Sequence, residues 1–190
     1  TSRGLGDVYK RQGLPLLSAT ERNPMLTTTY GTGELILHAI EHGYREFIIG
    51  IGGSATNDAG LGMLQALGFR FYDQNGEILG KGGQILDQIV AIDFSSVHPA
   101  LKDARFTIAC DVRNPFSGPE GAAYVFARQK GADGAMIEKL DAGMKRFSRL
   151  IHSTTGREIT EESVKKAVDK SKIASNNYYR QLHLRKGCLL

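Results

Sequence analysis

The side chains with the clearest chemical potential lie together in residues 48–62, which read IIGIGGSATNDAGLG. Glycines follow a short apolar run, polar side chains come next, and apolar residues then return at helical spacing. The start of a helix attracts anions through its free N–H groups and its dipole, and the hydroxyls of Ser54 and Thr56 would add donors. Gly52 and Gly53 would let a ligand approach the backbone. The segment therefore predicts either a ligand-binding turn or simply the end of a strand.

A dinucleotide is one ligand that this pattern permits. Gly50, Gly52 and Ala55 match the relaxed fingerprint G-x-G-x-x-A, and Asp73 follows at the end of the next expected strand. A nicotinamide-dependent oxidoreductase is therefore one hypothesis, and a non-catalytic α/β binding module is another. Against the dinucleotide, a helix is expected before the glycines, and polar SATND replaces the small residues that pack beside a pyrophosphate. A phosphate-binding Walker motif is absent, because no Gly-Lys-Ser/Thr sequence follows the turn.

The elements expected to position this turn alternate between helix and strand, which predicts an α/β fold. Each helix is predicted from apolar residues at helical spacing, and each strand from a short apolar or alternating run. The strand at 47–51 is apolar throughout, so we expect it to be buried on both faces. In chain order the predicted elements are a helix capped by Thr32 and ending at Gly43, the strand at 47–51, a helix ending at Gly68, the strand FRFYD, a strand at 106–112, a helix ending near Gly131 and a long helix at 135–151.

Composition narrows the functional classes. The chain has 190 residues, 41% hydrophobic and 23% charged, which is ordinary for a globular protein. Its net charge of +4 comes from the two ends, while residues 13–162 are mildly acidic, so no nucleic-acid partner is predicted. No apolar run is long enough for a membrane span, and Cys110 and Cys188 lie too far apart to indicate a metal site or disulfide framework. We therefore expect a cytoplasmic protein.

Four motifs in a fixed order carry a family resemblance. TTTYGTGELI, GIGGSATNDAGLGMLQALG, CDVRNPFSGPEGAAYVFARQKGA and LDAGMKRF resemble the bacterial-type glycerate kinases, which phosphorylate D-glycerate with ATP. The resemblance covers roughly residues 13–162. It implies an α/β fold of two lobes, one Rossmann-like and one mixed, with the active site between them. It also implies ATP as phosphoryl donor, Mg²⁺ as its companion, and 2- or 3-phosphoglycerate as product.

The same resemblance implies that the polar residues of these motifs line the active cleft. Asp58 would orient the glycerate hydroxyl or act as base, or else it is only a carboxylate at a helix start. Asp111 would be a Mg²⁺ ligand and catalytic residue, or else a turn-forming residue before Asn-Pro. Lys130 would face a phosphate or the glycerate carboxylate, or else it is a solvated lysine. The remaining predicted substrate- or phosphate-binding residues are Gly52, Gly53, Ser54, Thr56, Asn57, Asn114 and Gln129.

The chain also departs from the family pattern. It reads NDAG where members of the family typically read NDGG, and we expect Ala59 to be tolerated inside a helix. Family motifs that belong before and after the matched region are absent. We therefore expect a glycerate kinase core fragment at 13–162, preceded by a non-native leader at 1–12 and followed by an unrelated or frameshifted basic tail at 163–190. Such a fragment is expected to be inactive alone and only marginally stable.

Overall fold

The computed structural model describes residues 13–110 and 112–156. The predicted leader, the predicted tail and Asp111 lie outside these residues. The helices are α1 (Tyr30–Glu41), α2 (Leu61–Ala66), α3 (Ala122–Phe126) and α4 (Gly134–Thr155), and the strands are β1 (Glu46–Gly50), β2 (Arg70–Tyr72), β3 (Ala91–Asp93) and β4 (Arg105–Ala109). Short 3-10 helices occur at Leu14–Leu16, Gly83–Ile85, Pro99–Asp103 and Arg128–Lys130. The predicted α/β class is confirmed.

The strands form two separate two-stranded sheets. β1 pairs in parallel with β4, and the stacked rings of Phe47 and Phe106 lie side by side with their centroids 5.0 Å apart. β2 pairs with β3 in the antiparallel sense. β1 and β2 follow one another along the chain but belong to different sheets, so a residue at the end of β2 is not beside the turn that follows β1.

α1 packs against α2 and against one face of β1. Ile36, Ile40 and Leu67 form a small buried cluster there, and Phe47 and Ile49 pack onto it. The helix ends as predicted, before Gly43, which adopts a positive φ of 88°. It begins earlier than predicted, with Thr29 at the cap position, so the prediction that Thr32 caps it is wrong.

The opposite face of β1 is open. Ile48 is 53% exposed, and β1 alternates between exposed and half-buried residues along its length. The prediction that this strand is buried on both faces is therefore wrong for the residues that the structure describes. In parallel sheets of α/β proteins helices normally cover both faces, whereas here the described helices cover one.

The larger core forms around α4. Asp133 caps this helix by accepting a hydrogen bond from the N–H of Met136 at 2.8 Å, which satisfies one of the donors left free at a helix start. Apolar side chains on one side of α4 then pack against β2, the 3-10 helix at Gly83–Ile85 and α3. The ring of Phe71 meets that of Phe147 edge-on at 6.0 Å. No helix in the described part of the chain is both long and apolar enough to cross a membrane.

Candidate active site

The polar turn between β1 and α2 has an exposed beginning and a buried end. Gly52 and Gly53 are exposed, and nothing in the described structure lies within 4 Å of where a Cβ on Gly52 would be. The Ser54 hydroxyl accepts a hydrogen bond from the N–H of Thr56 at 3.1 Å, which fixes the bend locally. Asn57, two residues after Ala55, is 7% exposed. The backbone thus runs from open space into the core within a few residues.

Asp58 joins the starts of α1 and α2. Its side chain is 1% exposed. One carboxylate oxygen accepts hydrogen bonds from the N–H of Thr29 at 2.8 Å, the hydroxyl of Thr29 at 2.9 Å and the N–H of Gly62 at 3.2 Å. The other accepts from the N–H of Gly60 at 3.0 Å. Because both oxygens already hold donors, this geometry favours a carboxylate that positions two helices over one that contacts a substrate hydroxyl directly.

Ala59 does not lie in a helix, contrary to the expectation from its sequence. It has a φ of 51°, and it is the one non-glycine residue with a positive φ among those described. L-residues with a Cβ pay about 1–2 kcal/mol to adopt this left-handed conformation. Glycine adopts it freely, so the NDGG sequence expected from the resemblance would be unstrained at this point.

Lys130 reaches the polar turn from a distant part of the chain. It ends the 3-10 helix Arg128–Lys130, and its Nζ donates a hydrogen bond to the carbonyl of Thr56 at 2.5 Å, across 74 residues of sequence. Burial lowers the pKa of Lys130, while the nearby negative charge of Asp58 opposes that shift. Lys130 is therefore directed toward the turn, and the alternative of a freely solvated lysine is wrong.

Asn57 carries a hydrogen-bond donor that the fold does not use. Its side-chain Nδ2 is buried and has no hydrogen-bond partner among the described residues. Leaving a buried polar group unpaired costs about 1–3 kcal/mol, and such groups are rare in native proteins. A ligand acceptor at this position would remove the cost. Asn57 and Lys130 thus present donors at the same turn.

Two other predicted residues, Asn114 and Gln129, do not hydrogen-bond to the polar turn in the described structure as Lys130 does. The Asn114 amide donates to the carbonyl of Glu120 at 3.0 Å, within its own loop. That loop is fixed to α4, because the N–H of Gly118 donates to Asp141 at 2.6 Å and Asp141 also pairs with Lys145 at 2.8 Å. Gln129 is exposed beside Lys130. In the described structure no side-chain hydrogen bond joins Asn114 or Gln129 to the polar turn.

Sequence reasoning missed Thr29. It lies in the run TTTY, whose hydroxyl residues suggested only local capping. In the structure its hydroxyl both donates to Asp58 and accepts a hydrogen bond from the N–H of Met63 at 2.9 Å. Asp58 and Thr29 thus form a hydrogen-bonded clasp that joins the starts of α1 and α2, through contacts that no local pattern indicates.

The dinucleotide hypothesis does not fit this geometry. A dinucleotide site needs free N–H groups where the helix begins after the glycines, but α2 begins only at Leu61, and Asp58 already accepts from the N–H groups of Gly60 and Gly62. Asp73 follows β2, in the other sheet, where hydrogen bonding from the N–H of Glu77 lowers its pKa and the N–H of Asn75 also donates to it. Asp73 is thus a turn residue of a hairpin-like loop, and the oxidoreductase hypothesis is not supported.

A complete metal site is not present in the described part of the chain. No group of three or more His, Cys, Asp or Glu side chains there could hold an ion. The oxygens of Asp58 are occupied by protein donors. The predicted Mg²⁺ ligand, Asp111, lies outside the described residues, directly after Cys110 and close behind the end of β4. By contrast, the donors of Asn57 and Lys130 fit the oxygens of an anionic ligand.

Comparison with known proteins gives a consistent family. The sequence model of the glycerate kinase family matches residues 7–168. The chain is 50% identical over 139 residues to a glycerate kinase of Bacillus cereus, covering 73% of this chain and 36% of that protein. It is also 50% identical over 139 residues to a glycerate 2-kinase of Escherichia coli, with 73% and 36% covered.

A solved structure agrees with these relatives. The crystal structure of a protein of Salmonella typhimurium LT2 named glycerate kinase 2 matches with a TM-score of 0.76 and 45% identity, over 79% of this chain and 40% of that one. The chain spans about 40% of the length of the first curated relatives it matches. On the family match and these relatives together, the chain belongs to the glycerate kinase family.

Proposed function

We propose that this chain serves in the ATP-dependent phosphorylation of D-glycerate to a phosphoglycerate, a phosphoryl transfer to an alcohol. The relatives named glycerate kinase and glycerate 2-kinase support the proposal. The structural observation that carries it is the hydrogen bond from Lys130 to Thr56, which joins two motifs 74 residues apart. We place the reaction in the cytoplasm, where ATP is available.

The residues at the turn have chemistry that suits this reaction. Phosphoryl transfer depends on positioning the reactants, on neutralising the charge of the phosphates and on excluding water. Lys130 supplies a cation and Asn57 an unused donor. The exposed backbone at Gly52 and Gly53 leaves room for a phosphate or the substrate. Asp58 is proposed to act through the turn that it holds, and the hydroxyls of the turn, with Asn114 and Gln129, are proposed as further contacts.

ATP and Mg²⁺ are the proposed partners of this site. Magnesium, when bound, would neutralise charge on the phosphates, and one or two carboxylates are its usual protein ligands. Asp111 is the carboxylate that we propose for this role, because in the sequence it comes two residues after β4, and α/β proteins bind ligands beyond the carboxyl ends of their strands. The remaining donors at the turn are neutral or cationic and suit phosphate and carboxylate oxygens directly.

A chimeric enzyme tests the proposed function. Residues 13–156 of this chain would replace the corresponding segment of the E. coli glycerate 2-kinase, to which the chain is 50% identical over 139 residues. We expect ADP formation that depends on D-glycerate, measured by a coupled assay, with the product's position identified by ³¹P NMR. A folded chimera that binds ATP and forms no ADP with D-glycerate would overturn the proposal.

The role of Lys130 is tested in the same chimera. Lys130→Met removes the cation at the turn, and the loss of one such transition-state contact lowers kcat by about 100-fold or more. Lys139→Met is the matched control, because Lys139 is half exposed on α4 and pairs with Asp87. Equal activity of the two variants would show that Lys130 has no role in the reaction.

A further inference from the structure

The segment 22–29 borders the polar turn along its length. The hydroxyl of Thr27 donates to the carbonyl of Ala55 at 2.9 Å, and Thr29 holds Asp58. Pro24 and Met25 are buried. The segment is thus the third part of the chain at the site, beside the turn itself and the region of Lys130.

Two close approaches fix the backbone at the start of this segment, at Arg22 and Pro24. A Cβ built on Gly131, the residue after Lys130, would collide with the backbone of Arg22 and would lie 2.9 Å from the Cβ of Arg22. A Cβ built on Gly83 would lie 2.6 Å from the carbonyl oxygen of Pro24 and 2.7 Å from that of Asn57. The start of the segment therefore lies between Gly131 on one side and the backbone of Asn57 on the other.

Two buried side-chain donors, one in this segment and one in the polar turn, are unused in the described structure. The Nε of Arg22, like the Nδ2 of Asn57, is buried and has no hydrogen-bond partner among the described residues. The other two such side-chain atoms, on Gln65 and Asp87, are acceptors. Lys130 adds a half-buried ammonium group. Burial makes unpaired donors costly, so each of these two donors indicates an acceptor that a ligand would supply.

We propose that Arg22, Asn57 and Lys130 form a binding site for an oxyanion, and that Arg22 is a substrate-binding residue of this enzyme. An arginine N–H group bonds carboxylate or phosphoryl oxygens strongly, because the charge assists the hydrogen bond. The anion is either the carboxylate of the substrate that accepts the phosphoryl group or a phosphoryl group itself. These two candidates rest on the proposed function, whereas the proposal that an anion binds here rests only on the unpaired donors.

Anion titration of the 190-residue chain tests the site without catalysis. Inorganic phosphate and D-glycerate are titrated separately by calorimetry into the wild type, Arg22→Gln and Arg128→Gln. A hydrogen bond to a charged group is worth about 1.5–3 kcal/mol, so we expect Arg22→Gln to weaken binding at least about tenfold. Arg128 is an exposed arginine two residues from Lys130, and its variant is expected to bind within about twofold of the wild type, since surface charges contribute little.

A second measurement is independent of whether Arg22→Gln folds. The side-chain Nε–H signal of Arg22 in the ¹⁵N NMR spectrum of the wild type is expected to shift on addition of the anion that binds. Arg22→Lys, which keeps the charge and loses the Nε donor, is expected to bind more weakly than wild type. An unshifted Arg22 signal, equal binding by the Gln variants of Arg22 and Arg128, or no binding of either anion at about 10 mM would overturn the proposal.

The outcomes separate this inference from the proposed function. Loss of D-glycerate binding alone in Arg22→Gln assigns the site to a carboxylate, and loss of phosphate binding alone assigns it to a phosphoryl group. An inactive chimera together with Arg22-dependent anion binding would support the anion site and overturn the proposed kinase function. An active chimera whose KM and kcat are unchanged by Arg22→Gln would support the kinase function and show that Arg22 does not bind the substrate.

Discussion

At the scale of single residues, Asp58 is the clearest case of a side chain whose role depends on distant contacts. Asp58→Asn would place an NH2 group among donors from Thr29, Gly60 and Gly62. Unpaired buried donors cost about 1–3 kcal/mol, so we expect the free energy of unfolding to fall by about 2–3 kcal/mol in urea denaturation followed by circular dichroism. Glu138→Gln, an exposed change of the same charge on α4, should leave the midpoint unchanged. A variant at Asp58 as stable as that control would contradict the clasp.

Ala59 gives the opposite prediction, a substitution that stabilises. Its φ of 51° is strained for any residue with a Cβ and relaxed for glycine. We expect Ala59→Gly to raise the free energy of unfolding by about 1 kcal/mol, which corresponds to about 2–4 °C in Tm for a chain of this size. Ala127→Gly is the control, since Ala127 is buried with a φ of −73° and should lose stability. A lower Tm for Ala59→Gly would show that the backbone is not strained there.

Lys130 predicts a dependence of stability on pH. Burial holds its pKa in the folded chain below 10.5, the value that an unfolded lysine keeps. Between those two pKa values the unfolded chain binds the proton and the folded chain does not, so the free energy of unfolding rises with pH. The stability of wild type relative to Lys130→Met should therefore increase as the pH rises toward 10.5 in urea titrations. A difference that is flat or falls with pH would show that Lys130 is not desolvated.

At the scale of elements, the close contact between α1 and α2 depends on glycines, and Gly33 is the one within α1 that meets α2. A Cβ on Gly33 would lie 2.6 Å from the Cβ of Ala66 and 2.9 Å from the Cα of Met63. We expect Gly33→Ala to destabilise the chain by about 1–3 kcal/mol through overpacking. Gly31→Ala, in the same helix, meets only the end of the Glu34 side chain, at 3.9 Å, and should gain stability from helix propensity. Thermal melts of both variants check this, and equal shifts would contradict it.

The elements also show how far the sequence alone can predict the fold. α1, β1 and α4 were predictable, because the spacing of apolar residues is a local signal. The cap of α1 was not, since the hydroxyl of Thr29 is used by Asp58, 29 residues away. The proposed site was predictable in part: Lys130 and the polar turn were identified from motifs, whereas Arg22 lies in a polar connection whose packing against Gly131 leaves no local pattern.

At the scale of the whole molecule, the exposed face of the β1–β4 sheet is the largest departure from an ordinary α/β protein. On this face Ile48 is 53% exposed. In the described structure β1 and β4 pair only with each other, so each also presents an unpaired edge, which favours association between chains. The chain spans about 40% of its first curated relatives, so their sequences contain further elements that could cover such a face.

This open face gives a prediction for solubility. Ile48→Thr should change the free energy of unfolding by less than about 1 kcal/mol, because the side chain is already largely in water. It should reduce concentration-dependent association measured by sedimentation. Phe71→Ala, at a fully buried position, should cost about 3–5 kcal/mol. A large loss of stability in Ile48→Thr would show that this face is covered in solution.

The long sequence separation of the Lys130–Thr56 contact has a consequence during biosynthesis. The hydrogen bonds of Asp58 in the clasp need only residues up to Gly62. The partner farthest from Asp58 along the chain is Thr29, which lies 29 residues before it. Lys130 is 74 residues beyond Thr56, so it is translated about 4–15 seconds later at usual rates of 5–20 residues per second. The donors and acceptors of the Asp58 hydrogen bonds are therefore all made before Lys130, and the proposed oxyanion site would be completed only after that delay.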